Sequence, residues 1–423
     1  MTTVKVDVGT NMSTQLGTPG VQGWAVYFNA AGINPVWTQL TGTGASLNLP
    51  NQAGLKVYFI LQSMSPGVTP VHNPSSPGTD PIQTESQITP TGTVSSAQTL
   101  NYRYDSFEVT FTPAAADAGN LTDINGFGIP MAVEVVYSGT TPTTSASRGY
   151  MISGGAVGSS MTMWNELASA GGSGSIQYYA PGGGLTGARM AISPATALAN
   201  NVGGTNYSSS NWNPYVTALG ASSATSAGSA GSAGAQQIQI AGYFNGAPDA
   251  NHVWHNAGFY SYRVTSSGGN FVLTPDASSQ IQGAITISPT DLANSIYMTL
   301  GNATVSGLST GNGTASTTTL TMNTGANNEW GTVLRDFVAG FTAGYWGSTA
   351  TSLNPNVPGS LFLNKEWNQD PTYAFGGSVT SGSGVVTPFA SVVYDEYAKV
   401  FFRETNSYGN GYSDFLTRAF NVG

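Results

Sequence analysis

The stretch Phe107-Glu108-Val109-Thr110-Phe111, followed by Leu121-Thr122-Asp123-Ile124-Asn125-Gly126-Phe127-Gly128-Ile129-Pro130, decides how this chain reads. Phe107, Val109 and Phe111 alternate with Glu108 and Thr110. That is the period of a β-strand, with Glu108 on the face opposite the apolar residues. Asp123 and Asn125 follow ahead of a Gly-Ile-Pro turn. In an extended segment they would share one face. Two carboxylates converging from neighbouring strands are what glycoside hydrolysis needs, one as general acid and one as base or nucleophile. The chain holds 20 Asp and Glu in 423 residues, so each one in a patterned place weighs more. The plainer reading is a solvated strand Glu and an ordinary Asn-Gly turn.

Phe-Glu-Val-Thr-Phe and then Thr-Asp-Ile-Asn-Gly-Phe-Gly-Ile-Pro resemble the paired motif of glycoside hydrolase family 64, β-1,3-glucanases with a thaumatin-like β core. A second resemblance covers Tyr394-Asp395-Glu396-Tyr397-Ala398-Lys399-Val400-Phe401-Phe402 and Tyr408-Gly409-Asn410-Gly411-Tyr412-Ser413-Asp414-Phe415. The resemblance implies that Glu108 is the catalytic acid. It also implies an Asp five residues before the Pro, and Asn125 stands there instead. An amide has no basic site at neutral pH. Asp123 then becomes the substitute base, with Asn125 orienting water; the alternative is a sugar-binding groove without chemistry. Asp414 matches the closing segment in part, since Ser413 stands where the family has a further Asp.

Composition narrows the classes. Charged residues make up 7% of the chain, against about 25% in ordinary globular proteins, so Ser, Thr, Asn and Gln must cover much of the surface. The formal net charge is −9, with 11 Lys and Arg. Nucleic acid needs a basic footprint that this chain lacks. No apolar run is long enough for a transmembrane helix, and no h-region follows Met1, so the reading has no membrane insertion and no secretory signal in this numbering. Zero Cys removes disulfides, thiolate catalysis and Cys-based metal sites together. Such a polar, weakly charged surface fits an extracellular or cell-surface protein.

Along the chain, Val4, Val6 and Val8 alternate, and Trp24–Phe28 and Leu55–Leu61 are short apolar runs bounded by turn residues. Residues 64–100 read as a long loop. Strands resume at 101–112, 131–137, 236–244, 258–264 and 271–273. Ala221–Ala235 is low complexity and reads as a linker. Trp330, Val333, Leu334, Phe337, Val338, Phe341 and Tyr345 repeat at helical spacing after Asn327 and Asn328, plausible N-caps. A second helix is expected over 394–404, with Tyr397, Val400 and Phe401 inward.

Other signals are weaker. His252 and His255 lack a third ligand, so no metal is expected. Trp254, Tyr260 and Tyr412 are candidates to stack on sugar rings, though most aromatics are core. The Gly-rich 178–184 lacks the frame of a phosphate loop. No cofactor is implied.

The expected fold is mostly β: a thaumatin-like β-sandwich or barrel core with an additional α/β lobe in the C-terminal half. Residues 1–150 form the first part of the core, 151–350 the inserted mixed lobe, and 351–423 a return to the core. Catalytic candidates are Glu108 and Asp123; substrate-binding candidates are Asn125, Trp254, Tyr260, Tyr412 and Asp414. Two functions fit. One is a β-1,3-glucan-active or glucan-binding protein, an inverting endo-hydrolase of weak activity with a β-glucan as partner. The other is a non-catalytic, self-assembling surface-layer, matrix or filament subunit, whose partner is its own kind in a homo-oligomer or polymer. Low charge weakens repulsion between subunits, and strand edges can pair.

Overall fold

The structure, a computed structural model, describes residues 2–90, 101–111, 117–121, 123–137, 144–149, 160–179, 185–213, 216, 238–244, 258–297, 302–306, 318–321, 329–343, 379–381, 384–386, 394–404 and 420–422. The linker 221–235, His252, Trp254, His255, Asn327, Asn328, Tyr345, Tyr412 and Asp414 lie outside the described residues. Strands outweigh helices, and every strand pairing among the described residues is antiparallel. No described helix is long and apolar enough to cross a membrane.

The chain divides into two units. Unit 1 holds Met1–Asn206, Val400–Gly409 and Ala419–Gly423; unit 2 holds Tyr207–Lys399 and Asn410–Arg418.

Unit 1 begins with β1 (Thr2–Val6), α1 (Thr10–Leu16), β2 (Val21–Tyr27), β3 (Val36–Leu40), β4 (Ala45–Leu49) and β5 (Leu55–Ser63). It continues with β6 (Tyr102–Thr110), β7 (Asp117–Leu121), β8 (Gly126–Phe127), β9 (Ala132–Tyr137) and β10 (Thr144–Gly149). Then come α2 (Ser160–Gly171), β11 (Ile176–Tyr178), β12 (Ala188–Ile192) and α3 (Pro194–Ala199). The last strand of the chain, Phe420–Val422, joins β7, β6, β5, β2 and β3 in one six-stranded sheet.

That sheet carries a buried apolar cluster on each face. Trp24, Val26, Phe28, Tyr58, Ile60, Tyr102 and Tyr104 point one way and meet Val71, Ile82 and Ile88 from the 64–90 segment. Ala25, Leu55, Val57, Phe107, Val109 and Leu121 point the other way and meet Leu47 and Leu49 of β4. Burial on both faces explains why 24–28 and 55–61 read as near-continuous apolar runs rather than alternating ones.

The expected long loop is not slack over 64–90. Gln62 holds it: its Oε1 accepts from the Val71 and His72 amides (2.9 and 3.0 Å), and its Nε2 donates to the His72 carbonyl at 2.7 Å. Asp80 accepts from the Asn73 amide at 2.8 Å and lies 2.6 Å from His72 Nδ1. The His72 ring stacks on Trp37.

Unit 2 is a meander. β13 (Ile238–Phe244), β14 (Gly258–Ser267), β15 (Asn270–Pro275), β16 (Ala284–Ile287), β17 (Asn302–Ser306) and β18 (Thr318–Thr321) pair in chain order. The β14–β15 hairpin turns at Gly268-Gly269, whose φ values of +58° and +80° favour glycine. α4 (Pro289–Ile296) interrupts it, and α5 (Glu329–Ala343), β19 (Val379–Ser381) and β20 (Gly384–Val386) follow.

α5 is the helix its periodicity predicts. Trp330, Val333, Leu334, Phe337, Val338 and Phe341 are all buried. Phe271 packs edge-on against Phe337 and Phe341, at centroid distances of 5.5 and 5.2 Å. The second expected helix is α6 (Glu396–Glu404), with Asp395 accepting from the Ala398 amide at its start and Tyr397, Val400 and Phe401 buried.

Candidate functional site

Glu108 leaves β6 on the Tyr58 face. Its strand neighbours Phe107 and Val109 belong to the opposite core, so alternation turns Glu108 away from them. In register it faces Lys56 on β5 and Asn120 on β7, and Tyr58, two residues along from Lys56, is its diagonal neighbour. Glu108 is half-buried, and no hydrogen bond or ion pair reaches it among the described residues. Gly54, at φ +61°, keeps the adjacent turn bare: a Cβ there would stand 3.8 Å from Glu108 Oε1.

A second carboxylate approaches this face from the covering segment. The Tyr58 hydroxyl donates to Glu85 Oε1 at 2.6 Å. Glu85 opens a single 3-10 turn, Glu85–Gln87, fixed by a reciprocal cap between Thr84 and Gln87. Burial raises the Tyr58 phenol well above its ordinary value, and the Glu85 bond and the charges of Glu85 and Glu108 push it the same way. Tyr58 is therefore a fixed donor to Glu85, on the face of the sheet that also carries Glu108.

Asp123 lies beyond β7 and is 8% exposed. Its carbonyl accepts from the Gly126 amide at 3.1 Å, closing the turn. The Asn125 side chain is exposed, and its backbone carries structure instead. The Asn125 carbonyl accepts from the Ser193 amide at 3.3 Å and from Thr196 Oγ1 at 2.6 Å, which ties the turn to the start of α3. Gly126 and Phe127 then pair with Ile192 and Ala191 of β12. The Phe107–Leu121 pair belongs to the core on the far side of the sheet from Glu108. Tyr260 is a core ring of unit 2, and its hydroxyl donates to Asp336. Trp254, Tyr412 and Asp414 lie outside the described residues.

The pattern reading passed over three residues that organise this region. Asp105 sits on β6 two residues before Phe107 and is buried. Its Oδ2 accepts from the Gly128 and Ile129 amides at 3.0 and 3.2 Å, and its Oδ1 from the Ser106 amide at 2.9 Å. Burial raises its pKa to about 7, and the three amide bonds act against that rise. The signal was available: Asp105 has the parity of Phe107 and Val109, so alternation puts an acid on an apolar face. Glu85 and Tyr58 had no such signal beyond the Thr84-x-x-Gln87 spacing of a cap.

Among the described residues, no group of three or more His, Asp or Glu is placed to hold a metal ion. Compared with protein-family models, curated proteins and solved structures, the chain matches none.

Proposed function

We propose that unit 1 binds a neutral polysaccharide of the β-1,3-glucan class at the Glu108 face, in an extracellular or cell-surface setting. The two-layered β core of unit 1 is, on this reading, of the thaumatin-like kind. The observation that carries it is the placement of Glu108 and Glu85 on the same side of the sheet, with the Tyr58 hydroxyl of that face bonded to Glu85. Carboxylates and a fixed phenol are the groups that recognise sugar hydroxyls, and a pair of carboxylates is the minimum for glycosidic cleavage. Glu108, without an ion-pair partner among the described residues, is the acid. Glu85 takes the second place that the sequence pattern gives to Asp123, because Asp123 is 8% exposed and poorly placed to reach a polymer. Hydrolysis by this pair would be weak, since Glu85 is already committed to Tyr58.

The test is titration with laminarin-type oligosaccharides, read by calorimetry, with reducing-end release measured alongside. Glu108→Gln and Glu85→Gln should each weaken binding. Asp123→Asn should leave it unchanged, and Asn125→Asp should change neither binding nor turnover. No binding at millimolar sugar would remove the reading. Turnover abolished by Asp123→Asn but indifferent to Glu85→Gln would return the second role to Asp123.

A further inference from the structure

Lys5, Arg263 and Lys399 each keep a carboxylate close, Asp7 at 2.8 Å, Asp276 at 3.3 Å and Glu396 at 3.7 Å. Arg103 on β6 and Arg189 on β12 do not: among the described residues no carboxylate forms an ion pair with either. Arg189 is 2% exposed. Its guanidinium donates to the carbonyls of Tyr102, Pro90 and Thr89 and lies over the Tyr102 ring, 4.9 Å from the centroid. Those partners are neutral. Burial lowers its pKa, and the titratable neighbours that oppose this are the phenols of Tyr102, Tyr104 and Tyr179. Arg103 is half-buried. Its Nε donates to the Tyr179 hydroxyl at 2.8 Å and its Nη2 to the Ala188 carbonyl at 3.4 Å. The stretches 91–100 and 180–184, which continue the chain from Pro90 and Tyr179, contain no Asp or Glu that could serve either guanidinium.

We infer that Arg103 and Tyr179 form a binding site for the carboxylate group of a small ligand, with Arg189 as a second positive charge sealed behind them. A buried cation is costly unless an anion balances it. This chain has 20 Asp and Glu, yet it spends none of them here. The groups left over are all donors. Nη1 of Arg103 has no partner among the described residues, and Nη2 keeps a second proton. The Tyr179 hydroxyl accepts from Arg103 and donates to nothing among the described residues. A site made only of donors takes an acceptor-only group, and a planar guanidinium matches a carboxylate in two parallel bonds. The carbonyls of Tyr102 and Ala188 hold both guanidinium groups in place before any ligand arrives. Charge selects the singly charged anion. One guanidinium is accessible, and the net charge of −9 opposes the approach of a dianion such as sulfate or phosphate more than that of a carboxylate. Arg103 and Glu108 have opposite parity on β6, so the inference does not rest on the saccharide reading.

The experiment titrates the full chain with sodium acetate, and in separate arms with sulfate and chloride at matched ionic strength, while the arginine Nε–H signals are followed by NMR. Acetate should shift the Arg103 signal saturably and chloride should not. Tyr179→Phe and Arg103→Lys, checked for fold by far-UV circular dichroism, should each weaken acetate binding by about tenfold. The Lys variant keeps the charge and loses the fork, so it separates bidentate recognition from simple attraction. If both variants unfold, the wild-type signals decide: Arg103 and Arg189 should move with acetate, and Arg263, already paired with Asp276, should not. No saturation up to about 100 mM acetate overturns the inference. So do equal shifts at Arg263, acetate binding that both variants leave untouched, or sulfate bound more tightly than acetate.

Discussion

The Tyr58 hydroxyl and Glu85 Oε1 meet at 2.6 Å, which anchors the 64–90 segment to the centre of β5. A hydrogen bond to a charged group contributes roughly 1.5–3 kcal/mol. Tyr58→Phe should therefore lower unfolding free energy by about that much, as denaturant titration would measure. It should also free Glu85 and raise the mobility of its turn, visible as faster amide exchange at Ile88. A change under about 0.5 kcal/mol would show that the bond is not made in solution.

Asp105 makes stability depend on pH. Its folded pKa is raised to about 7 from an ordinary value of 3.8, so the native state holds the proton more tightly than the unfolded chain. The stabilisation from this group is complete below the ordinary carboxylate range. It falls as pH rises toward about 7 and is constant above that. One proton limits the slope to about 1.4 kcal/mol per pH unit. The difference in unfolding free energy between wild type and Asp105→Asn should follow that curve. A flat difference from pH 4 to 8 would mean that Asp105 titrates normally in the fold.

Gln62 satisfies three buried backbone groups of Val71 and His72 at once. Gln62→Leu keeps the volume and strands all three, at about 1–3 kcal/mol for each group left unpaired. Limited proteolysis should then cut within 64–90 before any other part of unit 1. Resistance equal to the wild type would place the anchoring elsewhere, in the His72–Asp80 pair.

In unit 2, Leu334 is 2% exposed on the inner side of α5. Leu334→Ala should cost about 2–5 kcal/mol, read from the thermal or denaturant midpoint. A loss below about 0.5 kcal/mol would contradict the packing of α5.

Long periodic segments were legible in the sequence for a physical reason. α5 shows its face through Trp330, Leu334, Phe337 and Phe341, and β6 shows its parity through Phe107 and Val109. Short helices were not legible. α3 and α4 each begin at a Ser-Pro step, Ser193-Pro194 and Ser288-Pro289, where the Ser oxygen accepts from the third residue on. Six or eight residues are too few for periodicity to register, so the capping signal had to stand alone. At the candidate site, alternation gave the face of Glu108 but not its company. Glu85 comes from a segment without period, and only the folded chain brings it to Tyr58. Asp123 and Asn125 read as one extended face; the turn closed by the Gly126 amide separates a buried side chain from an exposed one.

A sheet wet on one side takes its strand register from hydrophobic alternation, because a slip of one residue would put the apolar set into water. The central sheet of unit 1, apolar on both sides, has lost that discrimination: β5 slipped by one would still bury apolar side chains. Its buried polar residues restore the choice. Only the native alignment gives Asp105 the Gly128 and Ile129 amides, and Gln62 the backbone of Val71 and His72. These two residues act as alignment marks, and removing both should give a compact chain that keeps its far-UV signal and loses its near-UV aromatic signature, rather than one that simply unfolds.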